Sequence, residues 1–394
     1  MSLTNFRQPP RILAHQRNQD RFGPYPSVLE ELFPLEITDH AIREIQQWPG
    51  YAPTPLRDLD RLAGALGINA LLYKDESGRF GLGSFKALGG AYAVLKLLSD
   101  KLNMTMADIR NGLGRDQAGT ITVTTATDGN HGRSVAWGAR QAGCRCRIYV
   151  HAGVSEGRAG AMADLGAEIV RIDGDYDESV HLCARESEEN GWFMVSDTSY
   201  DGYLDVPRQV MAGYSVMANE ILDQAGRPIT HVFVQAGVGG MAAALAARIW
   251  METGAERPRF IVVESEHAAC LLKSARRGAP ATVKIRHETV MAGMSCGEVS
   301  LVAWKILQAA ASDFLTIADT GVAPAMRMLA SGEAGGIAIE AGECAVAGII
   351  ALIAVCCDER LRAALGIDTN SRVLVIGSEG ATDKDIYRQI LAGN

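Results

Sequence analysis

The sequence predicts an α/β protein built on parallel sheets in two domains, and three observations lead there. Apolar, β-branched runs recur at 120–125, 147–151, 192–195, 230–235, 260–264 and 372–376. Ala-rich segments with apolar residues at helical spacing, at 132–142, 157–165 and 241–251, lie among them. Strand alternating with helix is the pattern of parallel sheets covered on both faces. The third observation is length: 394 residues exceed one core at roughly 150 residues per domain.

Taken in chain order, 1–22 mixes Arg, Gln, Asn and Asp without an apolar centre, and does not read as a secretory leader. Gly81, Gly83, Gly89 and Gly90 surround Ser84-Phe85-Lys86, and Ala87, Leu88 and Ala91 continue into a helix. The run 120–125 leads into Thr127-Asp128-Gly129-Asn130-His131-Gly132. A helix opening at 152–158 and ending near Gly166, then a strand at 167–172, place a strand–helix–strand unit in the same small sheet. A helix at 211–224 gives way to Gly226-Arg227-Pro228, a domain boundary. The sheet beginning at 230 is a second, larger one. The first part of the chain joins it, so that 1–86 and 226–394 form the large domain and 87–225 a smaller inserted one. The thirteen apolar residues 345–357 fall short of the ~20 that span a bilayer and read as a buried helix.

Composition narrows the partners. A formal charge of −8 and a pI near 5.6 argue against nucleic acid or an anionic membrane surface. Eight cysteines and eight histidines are scattered without ligand spacing, so neither a disulfide framework nor a metal site is expected. A soluble, cytoplasmic protein acting on a small molecule follows.

Three segments can carry chemistry. Lys86 opens a helix beside a pocket where desolvation favours the free amine, suited to a Schiff base with an aldehyde cofactor. Gln235-Ala236-Gly237-Val238-Gly239-Gly240-Met241 follows a strand and opens an Ala-rich helix, so its N–H groups suit a phosphate. The same loop also fits a loose dinucleotide fingerprint, with Glu264 as the ribose acid. Val375-Ile376-Gly377-Ser378-Glu379-Gly380 ends another strand. There the Ser378 hydroxyl can face a pyridine nitrogen and leave it largely unprotonated, which suits loss of a β-substituent over transamination.

Lys86 in its S-F-K setting, Asn130 in D-G-N-H-G, the Gly237–Gly240 loop and Ser378 occur in the order of the fold-type II pyridoxal-phosphate enzymes, which the chain resembles. Within them it is similar to the diaminopropionate ammonia-lyase family. The likeness rests on 73–82 (Y-K-D-E-S-G-R-F-G-L), 125–133 (T-A-T-D-G-N-H-G-R), 196–198 (S-D-T), 290–298 and 378–383, and runs from about Pro24 to Asp385. The resemblance implies two three-layer parallel-sheet domains with the cofactor, pyridoxal 5'-phosphate, held between them. It implies that Lys86 carries the cofactor, that Asn130 contacts the ring hydroxyl, and that Gly237, Val238, Gly239 and Gly240, with Phe85 and Met241, complete the cofactor site. It implies acidic residues over the substrate at Asp128 and Asp197, where dehydratases usually have a small residue in place of Asp128.

A carboxylate at Asp128 can attract the second ammonium of a diamino acid or take an α-proton on the face opposite Lys86. Asp128 also suits a turn, and Ser196-Asp197-Thr198 a helix cap. The family further implies that Cys270 and Cys296 can pair and that the chain forms a homodimer. Two stretches depart from its pattern: Gly83-Ser84 where Asn-Ala is usual, and Ser199-Tyr200-Asp201-Gly202-Tyr203 where Trp-Glu-Gly follows Asp-Thr. The expected activity is α,β-elimination from 2,3-diaminopropionate to pyruvate and ammonia. The alternatives are a serine or threonine dehydratase, a lyase for another β-substituted amino acid, a non-catalytic pyridoxal-binding sensor and an NAD-dependent oxidoreductase.

Overall fold

Strands dominated by Val, Ile, Leu and Phe alternate with helices along the computed structural model, which describes residues 9–18, 23–127, 129–174 and 176–393. The strands among them are β1 (Ile12–Arg17), β2 (Leu56–Asp58), β3 (Ala70–Asp75), β4 (Thr122–Ala126), β5 (Arg145–Val150), β6 (Glu168–Arg171), β7 (Phe193–Met194), β8 (His231–Gln235), β9 (Arg259–Ser265), β10 (Asp313–Ile317) and β11 (Arg372–Gly377). The chain divides into two units: Met1–Leu35, Pro53–Ser84 and Met217–Asn394 in one, Glu36–Ala52 and Phe85–Val216 in the other.

The larger unit holds a seven-stranded sheet in the order β1-β10-β9-β8-β11-β3-β2. Its interior strands run parallel, while β1 and β2 pair antiparallel with β10 and β3 and close the two edges. β3, β8 and β10 are buried along their whole length, as strands covered on both faces must be. The apolar segment 345–357 becomes a short 3₁₀ turn and the helix Ala347–Cys356, buried from Ala347 to Val355. At Gly348 this helix comes so close to β8 that a Cβ would stand 3.0 Å from the Phe233 carbonyl.

The smaller unit holds a four-stranded parallel sheet in the order β6-β5-β4-β7. The helices Lys86–Leu102 and Asn130–Ala142 cross closely, since a Cβ on Gly138 would lie 2.7 Å from Ala91 Cα. The helix Asp205–Gln224 begins six residues before the sequence-based start at 211. Pro207 lies in its first turn, where a missing N–H costs nothing.

Division by sequence keeps 36–52 with the larger part, whereas these residues group with the smaller unit. The reasons are side-chain contacts that hydropathy does not reveal. Trp48 meets the Trp137 ring at 5.6 Å, His40 Nδ1 and the Tyr92 hydroxyl are 2.8 Å apart, and Arg110 pairs with Glu44 at 2.8 Å.

Candidate active site

In the smaller unit, chemistry collects where the strand order reverses. β4 is followed outward by β5 and β6, and β7 lies on its other side. Loops leaving the carboxyl ends of such neighbours diverge and open a crevice. The loop after β4 ends at Gly129 and hands over to Asn130 and His131, the first residues of the helix Asn130–Ala142, and the loop after β7 carries Asp197. Asp128 lies outside the described residues.

Lys86 is the first residue of its helix, with Phe85 before it, and its Nζ donates to Asp197 Oδ2. Each side chain is 19% exposed, so the pair remains open to solvent and to a ligand. The sequence reading leaves the amine to be discharged by burial; the fold meets it with a carboxylate. His131 Nε2–H donates to the Val195 carbonyl at 2.8 Å, so in the neutral ring Nδ1, 4.0 Å from Asp197 Oδ2, carries no proton. Burial holds His131 below its ordinary value, with Lys86 adding to this against the opposing pull of Asp197. Burial pushes the Asp197 carboxyl up, but the charge of Lys86 and the hydrogen bond from its ammonium more than offset it and hold the group below the usual carboxylate range. The Tyr214 ring packs on Phe85 at 4.8 Å, and burial raises its phenol far above the ordinary value. Thr127 Oγ1 accepts the N–H groups of Gly129 at 3.1 Å and Gly132 at 3.2 Å and so shapes the loop before His131.

The larger unit has a reversal of its own, at β8 and β11. Here Gly237–Gly240 leaves β8 and opens the helix Gly240–Thr253, while Ser378 leaves β11. Gly239 has φ +101°, which side-chain-bearing residues rarely adopt. A Cβ on Gly237 would lie 2.8 Å from both Cys296 Sγ and the Gly293 carbonyl. Only glycine backbone therefore fits, and a helix N-terminus formed this way suits a phosphate. Met241 is buried in the first turn. Gln235 Nε2 donates to the carbonyls of Cys344 and Ile376 at 2.9 and 2.8 Å, and lies 2.9 Å from Ser378 Oγ. The reverse amide orientation would set Oε1 against two carbonyl oxygens. Ser378 Oγ can then only accept from Gln235, and its own hydrogen is free for another acceptor, such as a pyridine nitrogen. Gln235 Oε1 is buried without a partner. These features fit pyridoxal phosphate.

The dinucleotide reading fails at Glu264. Its carboxyl is fully buried and accepts the N–H groups of Leu271 and Leu272, both at 2.7 Å, at the start of the helix Cys270–Arg277. It caps that helix and is closed to a ribose. Cys270 and Cys296 are not joined in a disulfide, and Cys270 Sγ lies 3.7 Å from the Gly237 carbonyl. Sequence reasoning missed His131, Gln235, Thr127 and Tyr214. His131 and Thr127 stood within 125–133 and Gln235 opened 235–241, stretches already singled out for their chemistry, whereas Tyr214 lay outside them.

The family model of the pyridoxal-phosphate dependent enzymes matches residues 47–379. Diaminopropionate ammonia-lyase from Escherichia coli (strain K12) is 37% identical over 357 residues, covering 88% of this chain and 89% of the relative. The crystal structure of the Escherichia coli enzyme in complex with D-serine superposes with a TM-score of 0.89 at 35% identity, over 97% of each chain. The same enzyme with an aminoacrylate-PLP azomethine reaction intermediate gives 0.87 at 34% identity, over 98% of each chain. The chain belongs to the pyridoxal-phosphate-dependent enzymes, in the diaminopropionate ammonia-lyase family.

Proposed function

We propose that this enzyme eliminates the β-amino group of 2,3-diaminopropionate, yielding pyruvate and ammonia. The observation that carries the reading is the Lys86–Asp197 pair, partly open to solvent and backed by a neutral His131. The curated relative's name and the intermediate held by the Escherichia coli enzyme support it.

Lys86, Phe85, Asn130, Gly237, Val238, Gly239, Gly240, Met241 and Ser378 would hold the cofactor. Pyridoxal phosphate, when bound, supplies an aldehyde and a conjugated ring that accepts the electron pair of the broken Cα–H bond. The chain's own residues manage charge and protons. Asp197, kept anionic by Lys86, attracts the β-ammonium of a diamino acid, a cation that serine and threonine lack. Lys86 Nζ takes the α-proton from one face, and Asp128 from the other, according to the enantiomer. The β-nitrogen must leave as neutral ammonia, because amide ion is far too basic. Asp197 and Lys86 keep its proton in place until the bond breaks. The 2-aminoacrylate released takes up one water and gives pyruvate and the second ammonia. The same reading takes the enzyme to act as a homodimer in the cytoplasm. Among the described residues, no helix is long and apolar enough to cross a membrane.

The test is release of pyruvate and ammonia from L- and D-2,3-diaminopropionate beside L-serine and L-threonine, repeated with Asp128→Asn. Two ammonia per pyruvate from the diamino acid is expected, with the D-isomer activity lost in the variant. Faster turnover of serine or threonine would overturn the reading in favour of a dehydratase.

A further inference from the structure

The backbone around Asp197 is anchored on both sides. Ser196 N–H donates to Tyr203 Oη at 3.1 Å, and Thr198 N–H donates to Ser196 Oγ at 3.2 Å. Tyr203 Oη donates in turn to the carbonyl of Met194, the last residue of β7, at 2.7 Å. One hydroxyl therefore uses donor and acceptor together to bridge the strand end to the residue before the carboxylate. Burial raises this phenol far above its ordinary value, so it stays protonated and able to donate.

The ring that carries the hydroxyl is itself held. Tyr200 and Tyr203 form an antiparallel bridge, with N···O distances of 3.3 and 2.9 Å, and their rings stack 5.1 Å apart at 21°. Beyond the two rings is a cavity of about 380 Å³, lined also by Leu97, Phe193 and Val206. Tyr203 lines this cavity, so its ring is not enclosed on that side, and the hydrogen bonds and the stack help to hold it. This turn is the stretch where the chain departs from its family's usual Trp-Glu-Gly.

We propose that Tyr203, backed by Tyr200, is a positioning residue that sets where the Asp197 carboxylate stands against Lys86 Nζ. The proposal rests on the role given above to the Lys86–Asp197 pair and deepens it. The clasp acts through the Ser196 backbone, so without the hydroxyl the carboxylate is present but poorly placed. Misplacement of a reacting group by about 1 Å costs roughly a hundredfold in rate. The titratable groups that face Lys86 among the described residues are Asp197, His131 behind it and Tyr214 on the helix Asp205–Gln224.

The experiment compares Tyr203→Phe with Asp197→Asn in the holoenzyme, reading kcat and KM for diaminopropionate across pH. Amide hydrogen exchange over 194–203 is measured alongside, in the wild type as well. Tyr203→Phe is expected to lower kcat roughly ten- to a hundredfold with KM changed less than about twofold. It should also move the same limb of the pH–rate profile that Asp197→Asn moves, in the same direction and by less. In the wild type the Ser196 amide should be as protected as the Val195 amide, which donates to Thr124 O at 2.8 Å. An unprotected Ser196 amide in the wild type would overturn the proposal without any variant. So would a Tyr203→Phe enzyme that loses thermal stability yet keeps its kcat and pH profile. Full activity in Asp197→Asn would sink the role of the pair, and the clasp with it.

Discussion

Lys86 and Asp197 form an ion pair at the mouth of a helix, 111 residues apart in sequence, and each keeps 19% of its side chain exposed. A pair sealed in the core would be inert. An exposed one would be screened and contribute little. This one lies between those limits, where a substrate ammonium can compete for the carboxylate.

Asp197→Asn should therefore lower kcat by about a hundred- to ten-thousandfold, the range of a lost acid–base group, while leaving the cofactor bound. The carboxyl's folded value is depressed, so its contribution to stability is full above the ordinary carboxylate range and is lost as pH falls through the folded value. Thermal unfolding from pH 7 downward checks the sign: the gap between wild type and variant should close only in strong acid.

Lys86→Met removes the amine and keeps the bulk of the stem. The visible absorbance of the wild-type holoenzyme that borohydride bleaches should be absent, with circular dichroism unchanged. A variant that kept a bleachable band would show that another lysine holds the cofactor.

Local chemistry made Lys86, the glycine loop and Ser378 legible in the sequence, because each follows a strand or opens a helix with small residues around it. Their supports were not legible. Gln235 and Ser378 meet across 143 residues and His131 and Val195 across 64, through strands that neighbour each other only in the folded sheets. The edge strand β1 escaped notice because one edge-on pairing with β10 leaves a mixed burial pattern rather than an apolar run. Residues 36–52 look like surface helix until Trp48 and Glu44 find Trp137 and Arg110.

Glu264 carries the second pH prediction. Burial pushes its carboxyl up to about 8, against the pull of the two backbone N–H groups and the Cys270 thiol. The folded chain keeps a proton that the unfolded chain releases from its ordinary value of 4.5 upward. Stability from this group is full below that value, falls as pH rises through the interval and levels off above about 8. Glu264→Gln cannot titrate, so the advantage of the wild type should shrink across this interval by an amount on the order of a few kcal/mol. Denaturant melts at pH 5 and 8.5 would show it, and a constant difference would mean the carboxyl is already ionised in the fold.

Gly237→Ala tests the phosphate cradle. Its methyl would meet Cys296 Sγ and the Gly293 carbonyl at 2.8 Å, and the backbone carbonyl cannot rotate away as a flexible side chain could. Overpacking of this kind costs about 1–3 kcal/mol. Cofactor affinity, followed by equilibrium dialysis, should fall by at least tenfold. Unchanged affinity with lowered stability would separate the loop from the phosphate.

The last prediction concerns charges the chemistry does not use. Lys74, Glu76, Arg79 and Glu220 are all at most 2% exposed, two cations against two carboxylates. Glu220 Oε2 accepts from Lys74 Nζ and Arg79 Nη2, both at 2.7 Å, and Oε1 accepts from Arg79 Nη1 at 2.8 Å. Arg79 Nε and Nη2 also reach Glu76 at 2.8 and 2.7 Å, and Thr54 donates its hydroxyl to the same carboxylate. The set joins β3 and the turn after it to the C-terminal half of the helix Asp205–Gln224. Burial lowers the proton affinity of Lys74, opposed by the two carboxylates. Glu220→Gln leaves one positive charge buried without a counterion, a loss of about 3–5 kcal/mol. Removing a cation as well, in Glu220→Gln with Lys74→Met, restores neutrality and should recover a large part of that loss. Denaturant unfolding of the three proteins decides the point: a double variant no more stable than Glu220→Gln would mean that hydrogen bonding, and not charge balance, holds this network in place.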